Sequence, residues 1–376
     1  LAAGNRTGTG NYALHLVTRL LGLDHDNEYV LYFRRTCVDA NPLYRQEAPN
    51  LTRVVTDAPS GNLRVQTNLA WRLYRDRIDL YHSLGYFLPL LWPGKSIVTI
   101  HDVNFLLLRR EWWRRGKRSD YALLWAQTRL AALKAARIVT GSEWSAGVIG
   151  ECWRIDRRRI AVTPYGLGNV RAEGPHGDPD GDPPRPAGLA PYLLAVGVLS
   201  PTKNFERLIR AYGRLRGGAG GARDLKLLIV GRESGPYYRD VLRPLVTRLG
   251  LEEDVQFTGY VPDDRLLALY RGAMAFVLPS LAEGFGFPFL EAMAAGVPVI
   301  ASNVTSVPEV VGDAAVLVDP YDEGAITAAM RRIAEDRRLR EDLIRRGRER
   351  CALFSWDETA RKTLDVYRKV CEGGHG

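Results

Sequence analysis

The residues best suited to chemistry are two glutamates eight positions apart in the run Leu278-Pro-Ser-Leu-Ala-Glu283-Gly-Phe-Gly-Phe-Pro-Phe-Leu-Glu291-Ala-Met-Ala-Ala-Gly-Val-Pro-Val299. The run reads as a strand ending at Pro279, a glycine loop, and a helix opening near Pro288. Glycine lets the backbone approach a ligand closely, and proline suits a first helical turn, where an N–H has no partner anyway. Free amides and the positive end of a helix dipole then face the loop and make an anion site. Glu283 lies in the loop at the carboxyl end of the strand and Glu291 about one turn into the helix, so the carboxylates have separate jobs. A pair of surface glutamates flanking a buried helix is the bland alternative, and the full string argues against it.

Other features sit at strand ends. Lys203 follows Val196-Gly-Val-Leu-Ser-Pro-Thr; alone, a lysine before a helix is a solvated cation. His101-Asp102 follows Ser96-Ile-Val-Thr-Ile100, at a strand's carboxyl end, where open α/β sheets bind ligands. Gly8-Thr-Gly-Asn-Tyr-Ala13 fits G-x-G-x-x-A, which raises the alternative of a NAD- or flavin-dependent enzyme. That alternative needs an acid ending the second strand. Asp24, Asp26 and Glu28 instead precede the strand at Tyr29, so the ribose contact fails.

The glutamate run resembles the E-x7-E signature of retaining glycosyltransferases with the GT-B fold, the nucleotide-sugar family called family four. The match extends through Pro279-Ser280, Gly284-Phe-Gly286, Glu291-Ala-Met-Ala, Gly296-x-Pro298-Val and Pro308-Glu309. The resemblance implies that Glu283 lies by the donor sugar and Glu291 binds the ribose hydroxyls. It also implies that amides around Gly286 and Phe287 receive the diphosphate, with Gly284 and Phe285 in the same donor loop. Val196–Ile209 is similar to the family's glycine-to-lysine segment, in which Lys203 would neutralise the departing diphosphate as the glycosidic bond breaks. Family members add an arginine directly after the glycine or before the lysine; here those positions hold Val198 and Thr202, leaving Arg207, Arg232 and Arg6 as substitutes. Thr7-Gly8-Thr-Gly10-Asn11-Tyr12 resembles the loop that approaches the donor diphosphate, which implicates Gly8 and Gly10. His101-Asp102 resembles the family's H-D pair, whose His contacts the donor sugar, so the implied catalytic set is His101, Glu283 and Lys203. Ile160-Ala-Val-Thr-Pro-Tyr165-Gly166 echoes a family strand that usually carries Asn where Tyr165 stands.

The elements that must position these residues alternate. Short β-branched runs at 192–197, 225–231, 255–259, 275–279, 297–301 and 315–319 are separated by helical patterns at 205–216, 237–249, 263–271, 288–295 and 323–350. Alternation of this kind means βαβ units around a parallel sheet. The first half repeats it with strands expected at 29–33, 53–56, 80–82, 96–100, 137–140 and 160–164. A glycine turn at Gly8-Thr-Gly10 should follow an opening strand, yet only seven residues precede it. A last helix over 356–370 opens with Ser355-Trp-Asp-Glu358, a capping box. The expected fold is α/β, two Rossmann-like doubly wound domains facing a cleft. The resemblance implies the divisions: an acceptor domain over 1–171, a Pro/Gly linker over 172–190, a donor domain over 191–354, and a helix over 355–376 crossing back to the first domain.

Length and composition agree. The 376 residues allow two or three domains, and 46% apolar with 25% charged residues is a globular balance. The longest apolar stretch, Ser83–Pro93, is 11 residues with two prolines, too short to span a bilayer. The opening residues lack a signal-peptide pattern, and Cys37, Cys152, Cys351 and Cys371 form no C-x-x-C pair, so cytoplasmic reduced thiols and no structural zinc are expected. Residues 1–190 hold 26 Lys/Arg against 18 Asp/Glu, net +8 of the chain's +9. Within them Arg109, Arg110, Trp112, Trp113, Arg114 and Arg115 combine cations with interfacial rings, a dock for an anionic membrane on its inner face or an acceptor site. The same run suits nucleic acid, but no recognised nucleic-acid module accompanies it. A solvated arginine-rich surface is the plain alternative.

The reading is thus a retaining hexosyltransferase with no cofactor and no metal, there being no D-x-D motif. His101-Asp-Val-Asn-Phe105 and Pro201-Thr-Lys-Asn-Phe205 resemble members acting in surface-polysaccharide assembly, which implies as substrates a nucleotide diphosphate sugar, GDP-mannose favoured over a UDP-sugar, and a saccharide or lipid-linked saccharide acceptor.

Overall fold

The computed structural model describes residues 8–38, 41–56, 62–107, 118–168, 190–218, 224–233 and 235–373. The chain forms two compact units, Leu1–Gly166 with Ser355–Gly376, and Leu167–Phe354. The linker segment 172–190, apart from its last residue, and the Arg109–Arg115 run lie outside the described residues.

The first unit carries strands β1 (Tyr29–Arg34), β2 (Leu51–Thr56), β3 (Leu80–Ser83), β4 (Lys95–Thr99), β5 (Arg137–Thr140) and β6 (Ile160–Val162). Its helices are α1 (Gly8–Leu23), α2 (Asn62–Arg75), α3 (Asn104–Leu107), α4 (Arg118–Lys134) and α5 (Glu143–Trp153). All pairings are parallel, but the ladder is split: β1 pairs with β2, while β3-β4-β5-β6 form a separate sheet. A cavity of about 1430 Å³ is lined by β1 along one side and by Leu80–Gly85 along the other. In a doubly wound order this is the position of the opening strand. Gly8 and Gly10 lie in the first turn of a helix, not in the turn expected from their composition. Tyr12, Ala13, Leu16, Val17, Leu20 and Leu21 recur at helical spacing and are buried, and that burial outweighs the glycines' poor helix propensity.

The C-terminal helix Trp356–Glu372 belongs to this unit. Its Val366 and Val370 pack on Ile97 and Val139, and Thr359 donates to the Pro164 carbonyl at 2.6 Å. Ser355 caps it by accepting from the Asp357 amide at 3.2 Å, one position earlier than a capping box predicts.

The second unit is regular. Strands β7 (Tyr192–Val196), β8 (Lys226–Val230), β9 (Val255–Gly259), β10 (Ala275–Leu278), β11 (Val299–Ser302) and β12 (Ala315–Val318) pair in the order β12-β11-β10-β7-β8-β9, all parallel. The order reverses between β7 and β10, the switch point at which such sheets bind ligands. Its helices are α6 (Phe205–Gly217), α7 (Arg243–Arg248), α8 (Asp263–Arg271), α9 (Phe287–Ala294), α10 (Val307–Val311), α11 (Glu323–Glu335) and α12 (Arg337–Cys351). A π turn, Tyr238–Leu242, leads into α7, since Pro244 has no N–H with which to continue an α pattern. The single helix expected over 323–350 is broken at Asp336, which is extended (φ −104, ψ 96). Its carboxylate accepts from the Leu339 amide at 2.9 Å, so it ends α11 and caps α12. Among the described residues no helix is long and apolar enough to cross a membrane.

Candidate active site

The turns after β7 and β10 are tied together before any charged group is considered. Asn204, left-handed at φ 60, starts α6, and its amide nitrogen donates to the carbonyls of Pro279 at 2.9 Å and Pro320 at 2.7 Å. The Leu281 amide donates to the Thr202 carbonyl at 2.7 Å. The Lys203 side chain runs over Gly197, where a Cβ would meet its Cε at 3.4 Å, and its Nζ donates to Glu283 Oε1 at 2.6 Å. Both side chains are largely covered, 17% and 8% exposed. Ser280 Oγ donates to the same carboxylate oxygen at 2.7 Å. The Glu283 amide donates to Thr305 Oγ1 at 3.2 Å, and Ser306 Oγ donates to the Glu283 carbonyl at 2.9 Å. Backbone and carboxylate are therefore both held.

Gly286 is left-handed at φ 101, and a Cβ on it would lie 2.6 Å from the Phe289 ring. That conformation ends the loop and starts α9, with Pro288 in its first turn. Gly284, Phe285 and Gly286 are buried, Phe285 against Phe287 and Phe354 with ring centroids 5.5 and 5.7 Å away. Glu291 is not joined to Lys203 and Glu283. Its Oε2 accepts from the Tyr270 hydroxyl of α8 at 3.1 Å, and a Cβ on Gly168 would meet its Oε1 at 2.2 Å. Burial pushes the Glu291 carboxyl up to about 7, against the pull of Tyr270. Of the substitute cations, Arg207 donates to Asn204 Oδ1 at 3.0 Å and lies over Tyr321, Arg232 lies over Tyr260, and Arg6 is outside the described residues.

In the first unit His101 stands just past β4 and is 9% exposed. Its Nε2 is 3.0 Å from the Leu84 carbonyl and its Nδ1 3.0 Å from the Tyr165 hydroxyl. Burial lowers its pKa to about 4, so the ring is neutral at pH 7. Beneath it His82, on β3, bonds Thr99 at 2.8 Å and Tyr367 at 2.7 Å, and burial takes its pKa to about 3. Asp102 accepts from Tyr86 at 3.0 Å and from the Asn104 amide at 3.1 Å. Gly8 and Gly10 open α1.

Tyr270, Thr305 and Gly168 join the donor-side cluster without having been singled out in the sequence. Tyr270 reads there as one more apolar position of α8. Thr305 carries a left-handed φ of 60, which no residue pattern announces. Ser280 was visible only as part of the glutamate motif.

Residues 6–167 match glycosyltransferase family 4, and residues 185–350 match the glycosyl transferases group 1 family. The chain is 31% identical to O-antigen chain mannosyltransferase B of Escherichia coli over 96% of each protein. It is 29% identical to an MMP alpha-(1->4)-mannosyltransferase of Mycolicibacterium hassiacum, over 96% of this chain and 95% of that one. Among solved structures, sucrose-phosphate synthase from Thermosynechococcus elongatus shares the fold, with a TM-score of 0.74, 21% identity, and 98% and 94% of the two chains covered. The lipopolysaccharide glycosyltransferase WaaG does so with a TM-score of 0.71, 15% identity, and 97% and 96% covered. With a glutamate-bearing loop on a helix N-terminus at the switch point, and family matches on both halves, the chain belongs to the GT-B glycosyltransferases of family four.

Proposed function

We propose that the protein transfers mannose from GDP-mannose to a saccharide or lipid-linked saccharide acceptor with retention at the anomeric carbon. The observation that carries this reading is the covered Lys203–Glu283 pair beside the amides of α9. Donor binding would bring the diphosphate to those amides and to Lys203, which exchanges one anionic partner for another. As the C1–O bond to phosphate breaks, Lys203 and the helix end neutralise the growing charge on the leaving oxygen. The acceptor hydroxyl attacks C1 from the same face, and its proton goes to the departing phosphate oxygen. Glu283 borders the sugar, Glu291 accepts from the ribose hydroxyls, and His101 keeps the donor-sugar contact that the family resemblance implies. Gly8 and Gly10 are assigned to the diphosphate on the same ground. Mannose is favoured because the full-length relatives are named mannosyltransferases. In a thermal-shift series GDP and GDP-mannose should raise the melting temperature and UDP and UDP-glucose should not. Proton NMR of the product formed on octyl α-mannoside should show an α linkage. Stronger stabilisation by UDP would overturn the base assignment, and a β product would overturn retention.

A peripheral position on an anionic inner membrane face is the second reading, favoured by α2. There Trp71 and Tyr74 are 56% and 75% exposed, and Arg75 stacks over Trp71 at 5.0 Å. Rings and cations side by side on a solvent-facing helix suit an acidic headgroup layer. Co-sedimentation with phosphatidylglycerol vesicles should fall with salt and with Trp71→Ala and Trp112→Ala together. Equal sedimentation with neutral and anionic vesicles would remove this reading.

A further inference from the structure

The His101 ring is bonded at both nitrogens, and one partner settles the tautomer. The Leu84 carbonyl can only accept, so Nε2 carries the proton and donates at 3.0 Å. In a neutral imidazole Nδ1 is then an acceptor, and the Tyr165 hydroxyl donates to it at 3.0 Å. Tyr165 is itself clamped. It is 2% exposed, parallel to Trp356 of the C-terminal helix (centroids 6.1 Å, 7°), and tilted against Tyr12 of α1 at 4.7 Å. Glycines make this stack fit. A Cβ on Gly141, just past β5, would lie 2.7 Å from the Tyr165 ring, and a Cβ on Gly166 would lie 2.5 Å from Trp356. The hydroxyl of that packed ring reaches His101 Nδ1.

We propose that Tyr165 is the positioning residue of the His101 ring, holding it as the Nε2-protonated tautomer in one orientation, and that the C-terminal helix braces Tyr165 for this through Trp356. The inference rests on the assignment of His101 to the donor sugar. The other groups facing the ring are Tyr12 from α1, whose ring meets it edge-on at 4.7 Å, Tyr86 and His82 from β3 and the loop after it, and the adjacent Asp102. The carboxylate of Asp102 is occupied by Tyr86 and the Asn104 amide. Of these groups, Tyr165 alone is bonded to Nδ1 among the described contacts.

Tyr165→Phe keeps the stacked ring and removes the donor. Ring-nitrogen NMR of histidine-labelled protein reads the consequence, the His101 signals being identified by their loss in His101→Gln. The unaltered protein should show an unprotonated Nδ1 and a protonated Nε2 that do not change between about pH 8 and pH 5. In Tyr165→Phe the ring should titrate at higher pH. Turnover of GDP-mannose with octyl α-mannoside should fall about fivefold, the size of one neutral hydrogen bond, with the KM for GDP-mannose unchanged and a new acid limb between about pH 5 and 7. Gly141→Ala, which presses on the phenol ring, should give the same signature more weakly and serves as the second variant if Tyr165→Phe folds poorly. A protonated Nδ1 in the unaltered protein, or a Tyr165→Phe ring that titrates unchanged, would overturn the proposal. If His101→Gln turns over normally, the donor-sugar assignment falls, while the ring-nitrogen spectra still decide what Tyr165 does.

Discussion

In the unit built on 167–354 the groups assigned to the donor are charged or poised to become so: Lys203 and Glu283 as an ion pair, Glu291 with a carboxyl near 7. In the unit built on 1–166 the strand-end residue is a neutral imidazole with both nitrogens bonded, above a second buried neutral imidazole. One unit supplies charge that can be exchanged with a phosphate, and the other supplies a surface whose polar atoms are already fixed. On the proposed assignments, charge stabilisation falls to one compact unit and orientation to the other, although catalysis needs them together.

The largest expected effect tests the charged side. Lys203→Ala should lower turnover by roughly 10²-fold or more, the scale for removing one preorganised partner of a developing anion. A loss under about threefold would mean that another cation meets the diphosphate. Next, Glu291→Ala should weaken GDP binding in calorimetry by about tenfold or more, as for hydrogen bonds to a charged group. Glu283→Gln should leave GDP binding intact and lower turnover instead, because its partner is the sugar being transferred. Calorimetric GDP affinities that respond to Glu283 and not to Glu291 would reverse the two assignments.

A smaller effect separates the units by pH. Glu291 with a carboxyl near 7 accepts from ribose hydroxyls at both oxygens, and more strongly, when ionised, so GDP should bind several-fold tighter at about pH 8 than at about pH 6. The sign follows from linkage: binding that favours the carboxylate releases its proton and strengthens as pH rises. In the ligand-free protein the same group works the other way. Its folded value lies above its ordinary 4.5, so it costs stability as pH rises from there to about 7. The GDP limb should persist in His101→Gln and vanish in Glu291→Gln. Its loss in His101→Gln would assign the titration to the wrong unit. The smallest effect is in backbone exchange: amides of β1 and β3 should exchange deuterium faster than those of β7 and β10, which have strands on both sides.

Much of the scaffold could be read from residues because its signals are local. Val297-Pro-Val-Ile-Ala301 is apolar without alternation, as a strand covered on both faces must be, and β11 runs there from Val299. Pro288 and Gly286 marked the start of α9 to within a residue. The break at Asp336 was missed because a helical pattern on both sides hides a single cap, although an aspartate with a leucine amide three residues on is the ordinary means of starting a helix. In the site, Lys203, Glu283 and Glu291 were legible through the motifs around them. Tyr270 and Thr305 were not, since each acts across 21 or 22 residues of chain on a glutamate whose position only the folded sheet defines. Tyr165 stood out only as a departure from the family's usual residue, and its partner is 64 positions away.

The split sheet of the first unit has a consequence for association. On the sides facing the cavity, β1 and β3 have no neighbouring strand among the described residues, and such edges are templates on which stray chains pair. Here residues of both strands line one cavity, with α2 residues Leu69 and Arg72 and C-terminal-helix residues Leu364 and Tyr367 also on its walls. Charges stand at the same walls, Arg34, Asp76, Lys95 and Arg368 among them, and inward charge is one of the means by which sheets discourage unwanted pairing. A hairpin is a poor fit for such a gap, because a strand parallel to both neighbours must be connected at each end by a long crossover. A segment extended parallel to both β1 and β3 is therefore the pairing these two edges favour over antiparallel edge-to-edge stacking.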